Sequence, residues 1–100
     1  MLTFAALADP NRRAIVEMLA RAPLTSGEIA RRFTISPSAV SQHLKVLKNA
    51  GLVSDLRDGS RRVYHVNPDG LQALRADLDL FWSSALMGFK ATVEQRMKEN

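Results

Sequence analysis

The chain has 100 residues, no cysteine and a formal net charge of +4 at pH 7. Hydrophobic residues make up 46% and charged residues 24%, which is ordinary for a globular protein and excludes a disordered chain. Without cysteine the chain has no disulfide, thiolate metal site or thiol redox switch. No apolar run is long enough to span a bilayer, and no signal-peptide pattern follows Met1. We therefore expect one domain over residues 1–100, in the cytoplasm and without membrane contact.

Basic residues are concentrated in the middle of the chain. Residues 31–62 contain seven basic side chains and two acidic ones, a local net charge of +5, whereas the rest of the chain sums to −1. This distribution is typical of a surface that binds a polyanion. Charge alone, however, favours a solvated basic surface. Binding of a polyanion is favoured only when the positions of these residues on the predicted helices and strands are added.

An apolar segment, residues 2–8, precedes the start of the first long helix. Asp9 can cap that helix, and Pro10 fits its first turn because an N–H group is not needed there. Apolar residues at helical spacing predict that the helix continues to about Ala22 and ends before Pro23. Its inward stripe consists of Ile15, Leu19 and Ala22.

Two further helices follow, with a tight turn between them. Thr25 and Glu28 form a capping-box pattern that opens a short helix ending at Phe33. The next helix, called the recognition helix below, begins after Ser36, whose hydroxyl can accept a hydrogen bond from a first-turn N–H group. It ends at Gly51, which can adopt the left-handed conformation without a Cβ clash. Two such helices joined by a tight turn are typical of a helix-turn-helix.

The recognition helix has two chemically different faces. Val40, Leu44 and Leu47 form a stripe that must be buried. The opposite face carries hydroxyl, amide and amine groups and no carboxylate. These are the groups that hydrogen-bond base edges and phosphates, and an acidic side chain would repel the phosphates. This face therefore favours contact with a nucleic acid over simple solvation.

The periodicity after this helix changes to that of strands. Residues 52–57 and 61–66 are rich in β-branched and aromatic side chains. Asp58, Gly59 and Ser60 lie between them, and an Asp-Gly pair in this position predicts a β-hairpin. The hairpin forms a basic wing whose tip carries Arg57, Arg61 and Arg62.

A last helix is predicted from Asn67 to nearly the end of the chain. It has about 28 residues and a length of about 42 Å, roughly twice what a body of this size can cover. Its far half therefore needs another apolar surface, which a second copy of the chain supplies. Whether Gly88 marks a kink or a close approach of a partner helix stays open. The predicted dimer interface consists of Phe4, Leu7, Leu78, Phe81, Trp82, Ala85, Leu86 and Phe89.

Three segments of the chain resemble ArsR-type regulators, which are homodimeric winged helix-turn-helix repressors of transcription. They are LADP at residues 7–10 with Arg12, Arg13 and Ile15 after it, SPSAVSQHLKVL at residues 36–47, and AGLV at residues 50–53 with the hairpin up to Tyr64. The resemblance implies an α+β, mostly helical fold with a two-stranded wing and a long C-terminal dimerisation helix. It also implies that the first and last helices form the dimer interface. The residues that it places toward the major groove are Ser38, Ser41, Gln42 and Lys45.

The chain departs from the metal-sensing members of that family. Residues 25–33 contain no cysteine, and the last helix has Asp77, Asp79 and Glu94 but no histidine. Scattered carboxylates suit zinc poorly, because zinc prefers imidazole or thiolate ligands. The sequence predicts a metal-independent member without a cofactor. It leaves open whether a small-molecule or protein effector acts, and whether the aromatic residues of the last helix line a ligand pocket.

The candidate DNA contacts come from the recognition helix and the wing. Gln42 can form two hydrogen bonds with adenine, and Lys45 can donate to guanine. Serines near a helix start also serve the backbone alone. Arginines of a wing suit phosphates or the minor groove. The full set is Ser36, Ser38, Ser41, Gln42, Lys45, Lys48, Arg57, Arg61 and Arg62.

No residues form a catalytic group. Ser41 and His43 are two apart on one helix and do not face each other, and His43 and His65 fit ordinary packed roles. The sequence predicts a DNA-binding transcriptional regulator, a homodimeric repressor that binds an inverted-repeat operator, and not an enzyme. The alternative is a winged-helix scaffold for protein interaction. An acid-free helix face together with an arginine-tipped wing argues against a scaffold, which needs neither.

Overall fold

The computed structural model describes residues 2–99, which form five helices and three strands. The helices are α1 (Leu2–Ala6), α2 (Pro10–Arg21), α3 (Ser26–Ala30), α4 (Pro37–Asn49) and α5 (Pro68–Glu99). The strands are β1 (Leu24–Thr25), β2 (Val53–Asp58) and β3 (Arg61–Val66). Helices α3 and α4 form the helix-turn-helix, β2 and β3 form the wing, and α5 is the long last helix. This is the predicted α+β, mostly helical fold.

The predicted helix starts are confirmed by their capping hydrogen bonds. The Asp9 carboxylate accepts from a backbone N–H of the first turn of α2 at 2.7 Å, and the Ser36 hydroxyl does the same for α4 at 3.1 Å. Thr25 and Glu28 form the reciprocal capping box, with bonds of 3.0 and 3.2 Å. These bonds satisfy N–H groups that have no partner within the helix itself.

Gly51 ends α4 as predicted, with a φ of +79°. The Leu52 N–H donates to the Leu47 carbonyl, and the Gly51 N–H donates to the Lys48 carbonyl, both at 3.0 Å. This pair of bonds is the Schellman motif, and Leu47 and Leu52 are both fully buried in the hydrophobic core. The motif leads the chain directly from the recognition helix into the wing.

The hairpin is confirmed with shifted boundaries. Leu52 precedes β2, and Asp58 belongs to it because it pairs with Arg61 in the β2–β3 register. The turn is therefore Gly59 and Ser60 alone. Gly59 has a φ of +64° and no other wing residue has a positive φ, as in a type II′ turn, whose twist matches that of the strands.

Strand β1 was not predicted. It has two residues, and it pairs antiparallel with β3 through Leu24 opposite Tyr64 and Thr25 opposite Val63. The sheet therefore has the order β1–β3–β2. This pairing attaches the wing to the residue that caps α3, so the wing and the helix-turn-helix form one body.

Two predicted helix limits differ from the structure. Helix α3 ends at Ala30 rather than Phe33, because the N–H groups of Arg32 and Phe33 donate to carbonyls three residues back, in a tighter turn. Phe33 still packs against the core. Ala22 was predicted to face inward, but it is exposed, because α2 ends one residue earlier and Ala22 has an extended backbone.

All five helices and the sheet contribute to one hydrophobic core. The predicted inward stripes of α2 and α4 are buried in it, apart from Ala22. The buried core residues are Ala6, Ile15, Leu19, Leu24, Ile29, Val40, Leu44, Leu47, Leu52, Val53 and Leu74.

Two arginines in the first turn of α2 form hydrogen bonds with the backbone at the end of α1 and just after it. Arg12 donates to the carbonyls of Ala5, at 3.3 Å, and Ala6, and Arg13 donates to the carbonyl of Leu7 at 2.8 Å. Carbonyls at the C-terminal end of a helix lack partners within it, so these bonds satisfy them. Both arginines thus hold the chain's own backbone.

Helix α5 has 32 residues, four more than predicted, and extends well beyond the core. Leu74 is its last buried residue, and residues 75–99 are all exposed. The helix continues without interruption through Gly88. Its length makes the longest dimension of the described chain 68 Å, against 28 and 20 Å for the others. None of the helices in residues 2–99 combines the length and apolar character needed to cross a membrane.

The beginning of α5 lies against the corner that follows α4. The Asn67 N–H donates to the Leu52 carbonyl at 2.9 Å, and the Asn67 carbonyl accepts from the Leu71 N–H at 3.0 Å. Gly70 approaches the Gly51 carbonyl so closely that a Cβ atom on Gly70 would lie 1.8 Å from its oxygen. Only glycine fits there. This contact fixes where α5 leaves the domain.

Candidate nucleic-acid interface

The recognition helix, α4, presents its predicted polar face to solvent. Ser38, Ser41, Gln42 and Lys45 are all exposed, and α4 contains no acidic residue. Within residues 2–99, Gln42 and Lys45 make no side-chain hydrogen bond and no ion pair. Their amide and ammonium groups are therefore available to an external ligand.

The two serines at the start of α4 are already engaged. The Ser36 hydroxyl accepts from the Ala39 N–H at 3.1 Å and lies 3.2 Å from the Ser38 hydroxyl. A hydroxyl has one donor and two acceptor positions, so Ser38 keeps capacity for a further bond. Ser36 is primarily the cap of the helix, and any contact with a ligand comes second to that role.

The strand register places the three wing arginines on two different faces of the hairpin, whereas the sequence predicted one role for all of them. Arg57 and Arg62 are directly opposite each other, whereas Arg61 is opposite Asp58. Because successive side chains point to opposite faces of a strand, Arg57 and Arg62 share a face with Asp55, and Arg61 lies on the other face. Two of the three arginines therefore belong to the face that contacts α4.

Asp55 joins the wing to α4. One of its carboxylate oxygens lies 2.7 Å from Lys48 Nζ, and the other lies 3.1 Å from Arg62 Nη1. The Asp55 side chain is only 10% exposed, whereas those of Lys48 and Arg62 are about half exposed. The hydrogen bond from Lys48, the charges of both cations and the bond from Arg62 outweigh burial and hold the pKa of the Asp55 carboxyl below its usual value.

This cluster was not predicted from the sequence. Residues 48, 55 and 62 belong to three different elements, and no local pattern links them. The one available signal was that Asp55 is one of only two acidic residues in the basic region. An isolated carboxylate among cations is often their shared counter-ion, because a buried charge requires a partner.

The tip of the wing carries a looser set of charges. Arg61 and Asp58 lie 3.8 Å apart, and both side chains are about 70% exposed. Exposed pairs of this kind contribute little free energy, so Arg61 can exchange partners easily. Arg57 has no carboxylate within 4.0 Å in the part of the chain that the structure describes. Both guanidiniums are accessible to an external anion.

The histidines and the acidic residues of α5 show no sign of a metal centre. His65 Nδ1 lies 3.0 Å from the Val66 carbonyl oxygen, and His43 is half-buried on α4. Asp77, Asp79 and Glu94 are exposed along α5. Throughout residues 2–99, no three histidine, aspartate or glutamate side chains come together in a group that could hold a metal ion.

Helix α5 and α1 carry the second candidate surface. Trp82 is 66% exposed and Phe89 is 68% exposed, and the other predicted dimer residues of α5 are exposed as well. Phe4 and Leu7 are partly buried against the core. An open groove, with Phe4 on one side, is lined along α5 by Asp77, Leu78, Leu80, Phe81 and Ser84. A continuous apolar surface of this extent is typical of an interface.

These elements define a winged helix-turn-helix protein. The model of the family "Bacterial regulatory protein, arsR family" matches residues 9–55. The chain is also 58% identical over 89 residues to the HTH-type transcriptional regulator Rv2034 of Mycobacterium tuberculosis, an alignment that covers 89% of this chain and 83% of the relative. The chain belongs to the ArsR family, and the resemblance seen in the sequence is confirmed.

Two further relatives support this assignment. The transcriptional repressor SdpR of Bacillus subtilis is 42% identical over 69 residues, covering 69% of this chain and 77% of the relative. The solved homodimeric winged helix-turn-helix DNA-binding domain of Mb0332 from Mycobacterium bovis, a possible ArsR-family transcriptional regulator, is 27% identical. That match has a TM-score of 0.67 and covers 85% of this chain and 79% of the other. The predicted fold class is thereby confirmed.

Proposed function

We propose that the chain is a homodimeric transcriptional repressor that binds an inverted repeat in double-stranded DNA through α4 and the wing. The observation that carries this proposal is the exposed, acid-free face of α4 beside the wing face of Arg57 and Arg62. The relatives support it, because one is a transcriptional repressor and another is a homodimeric DNA-binding domain. A scaffold for protein interaction needs neither the acid-free helix face nor the arginine-bearing wing.

In the proposed complex, α4 lies in the major groove. There Gln42 and Lys45 donate hydrogen bonds to base edges, which differ between base pairs, while Ser38 and Ser41 contact bases or the adjoining backbone. The wing cations bind phosphates, which are the same at every position. Base contacts therefore supply sequence preference, and phosphate contacts supply affinity and orientation. Occupation of the operator blocks transcription.

In a dimer built through α1 and α5, a two-fold axis relates the two recognition helices. Their centres must then be about 34 Å apart, one turn of B-DNA, to enter successive major grooves. The interface residues are those predicted: Phe4, Leu7, Leu78, Phe81, Trp82, Ala85, Leu86 and Phe89. The length of α5 supports this arrangement, because its apolar side chains beyond Leu74 are all exposed in the single chain.

Replacement of Gln42 by alanine tests the proposal directly. We expect Gln42→Ala to lose about 1 to 3 kcal/mol of operator binding and to relax the preference at one position of each half-site. Binding to scrambled duplex should hardly change. Arg57→Ala is the contrast, because it should weaken both duplexes equally and reduce the salt dependence by about one charge per subunit. Salt titrations of both variants by fluorescence anisotropy measure these effects.

A reversed pattern would contradict the assigned roles. In that case Gln42→Ala would flatten the salt dependence while Arg57→Ala changed the base preference. If neither substitution affected binding, the DNA-binding face would lie elsewhere on the molecule.

Metal ions should not affect DNA binding. The chain has no thiol, and the carboxylates of α5 are exposed rather than gathered into a site. We therefore expect stoichiometric zinc, nickel or copper to leave operator affinity unchanged at fixed pH and salt. Anisotropy titrations with each metal and with a chelator measure this. A saturable change at one metal ion per subunit would show that the chain is a metal sensor.

A further inference from the structure

We propose that Asp55 is a positioning residue that arranges Lys48 and Arg62 into a two-cation site for one backbone phosphate of duplex DNA. This site lies where the recognition helix meets the wing, and we call it the junction site. The inference rests on the proposed function, since it assigns a phosphate contact within that DNA interface. Asp55 itself does not touch the DNA.

The geometry of the junction site leaves donors free for a second anion. Each oxygen of the Asp55 carboxylate binds one cation, at 2.7 Å for Lys48 and 3.1 Å for Arg62. A lysine ammonium has three N–H donors and a guanidinium has five, so most donors of both groups are unused by Asp55. The cations are about half exposed and the carboxylate is nearly buried, so the unused donors are the ones that reach solvent.

The charges around the junction site also favour an added anion. Lys48 and Arg62 share a single carboxylate, which leaves a net positive charge. Arg57 stands directly opposite Arg62 on the neighbouring strand, and like charges in that position repel each other. A phosphate bound at the junction site lies beside both arginines and reduces this repulsion. Arg61 offers no such relief of repulsion, because it lies on the opposite face of the wing and is paired with Asp58.

Asp55 lowers the entropy cost of forming this contact. Lysine and arginine have many rotamers, and they lose this freedom when they bind a phosphate. Asp55 already restricts the rotamers of Lys48 and Arg62 in the free protein, so DNA binding costs less side-chain entropy. The same ion pairs fix the distance between α4 and the wing. A phosphate held at the junction site therefore aligns both elements on the duplex.

The replacement Asp55→Asn separates positioning from simple electrostatics. Removing a negative charge close to DNA should strengthen binding if only charge matters, because repulsion falls. If Asp55 positions the cations, the same change weakens binding. We expect operator and scrambled duplex to bind roughly five- to tenfold more weakly, with the salt dependence reduced by about one charge per subunit. The size of the side chain is unchanged, so packing is preserved.

A matched control is Asp58→Asn at the tip of the same strand. It makes the same change of charge, but Asp58 is exposed and lies 3.8 Å from its only partner in residues 2–99, Arg61. We expect it to bind DNA as tightly as the wild type or more tightly. Affinity is measured against salt concentration for the wild type and both variants, and thermal unfolding checks that each one folds. Equal or tighter binding by Asp55→Asn would overturn the inference.

A second comparison serves if Asp55→Asn does not fold. Lys48→Gln and Arg62→Gln, singly and together, test whether both cations hold one phosphate. If Lys48 and Arg62 hold the same phosphate, the second substitution should cost much less affinity than the first. Fully additive losses would show two separate contacts and overturn the inference.

The two proposals fail in different ways. A wild type that does not bind duplex DNA overturns the proposed function and the junction site with it. A wild type that selects an operator while Asp55→Asn behaves as Asp58→Asn overturns the junction site alone.

Discussion

Replacement of Gly70 by alanine should destabilise the chain by about 3 kcal/mol or more, since overpacking against backbone is costly. The added Cβ would lie 1.8 Å from the Gly51 carbonyl oxygen and 2.8 Å from its carbon. Neither atom can move freely, because Gly51 closes α4 and the adjacent Leu52 carbonyl accepts from Asn67. Either the corner after α4 or the start of α5 must shift. Denaturant unfolding of the variant measures the loss.

The matched control for this substitution is Gly27→Ala in α3. A Cβ on Gly27 would lie 4.0 Å from its nearest neighbour, the Thr25 hydroxyl oxygen, which is an ordinary contact. Because alanine favours helix over glycine, this variant should be as stable as the wild type or up to about 1 kcal/mol more stable. If Gly70→Ala unfolds at the same denaturant concentration as the wild type, the close contact between α5 and the corner does not exist in solution.

Combined replacement of Trp82 and Leu86 by glutamate should abolish the dimer. These side chains are 66% and 53% exposed in the single chain, so the changes disturb no core contact. In the dimer they would bury two unpaired charges in each subunit, at a cost of several kcal/mol. A monomer engages one half-site instead of two, so operator affinity should fall by roughly 100-fold or more. Multi-angle light scattering and anisotropy measure the two effects.

The control carries the same two charges at the same spacing on another face of the helix. Ser83 and Met87 follow Trp82 and Leu86 by one residue each, and both are exposed. At about 100° per residue, Met87 lies on the side opposite Phe89. Ser83→Glu with Met87→Glu should therefore remain dimeric. A wild type that is monomeric at micromolar concentration would contradict the dimer outright.

The features that the sequence predicted correctly depend on residues close together in the chain. Asp9, Thr25 and Ser36 cap helices through bonds to groups two or three residues away. Gly51 and Gly59 have the positive φ angles that their turns require. The inward stripe of α4 follows from helical spacing alone. Such signals involve residues within about two helical turns of one another, so they can be recognised without knowledge of the fold.

The features that the sequence could not predict depend on contacts between distant residues. Strand β1 exists because Leu24 pairs with Tyr64, forty positions later, and two residues give no period of their own. Gly70 is an ordinary helical position until α5 meets the Gly51 carbonyl. The helical pattern of α3 continues to Phe33, but the turn into α4 tightens the backbone after Ala30.

The candidate site shows the same division. The exposure of the α4 face followed from its own composition. The sequence placed both Arg61 and Arg62 near the tip of the wing. Only the strand register shows that their side chains lie on opposite faces. Asp55 was counted as a charge that reduces the basic patch, whereas its place between Lys48 and Arg62 makes it part of that patch. These contacts depend on the packing of α4 against β2 and β3, which the sequence alone does not give.

The most direct test of DNA recognition by a dimer through α4 is the selection of bound sequences from a random duplex library by the wild-type protein. We expect enrichment of an inverted repeat whose half-sites are about one helical turn, roughly 10 base pairs, apart. In the same selection, Gln42→Ala should lose its preference at one position of each half-site and keep the spacing. Enrichment of no sequence, or of a single unrepeated site, would contradict a dimer that recognises DNA through α4.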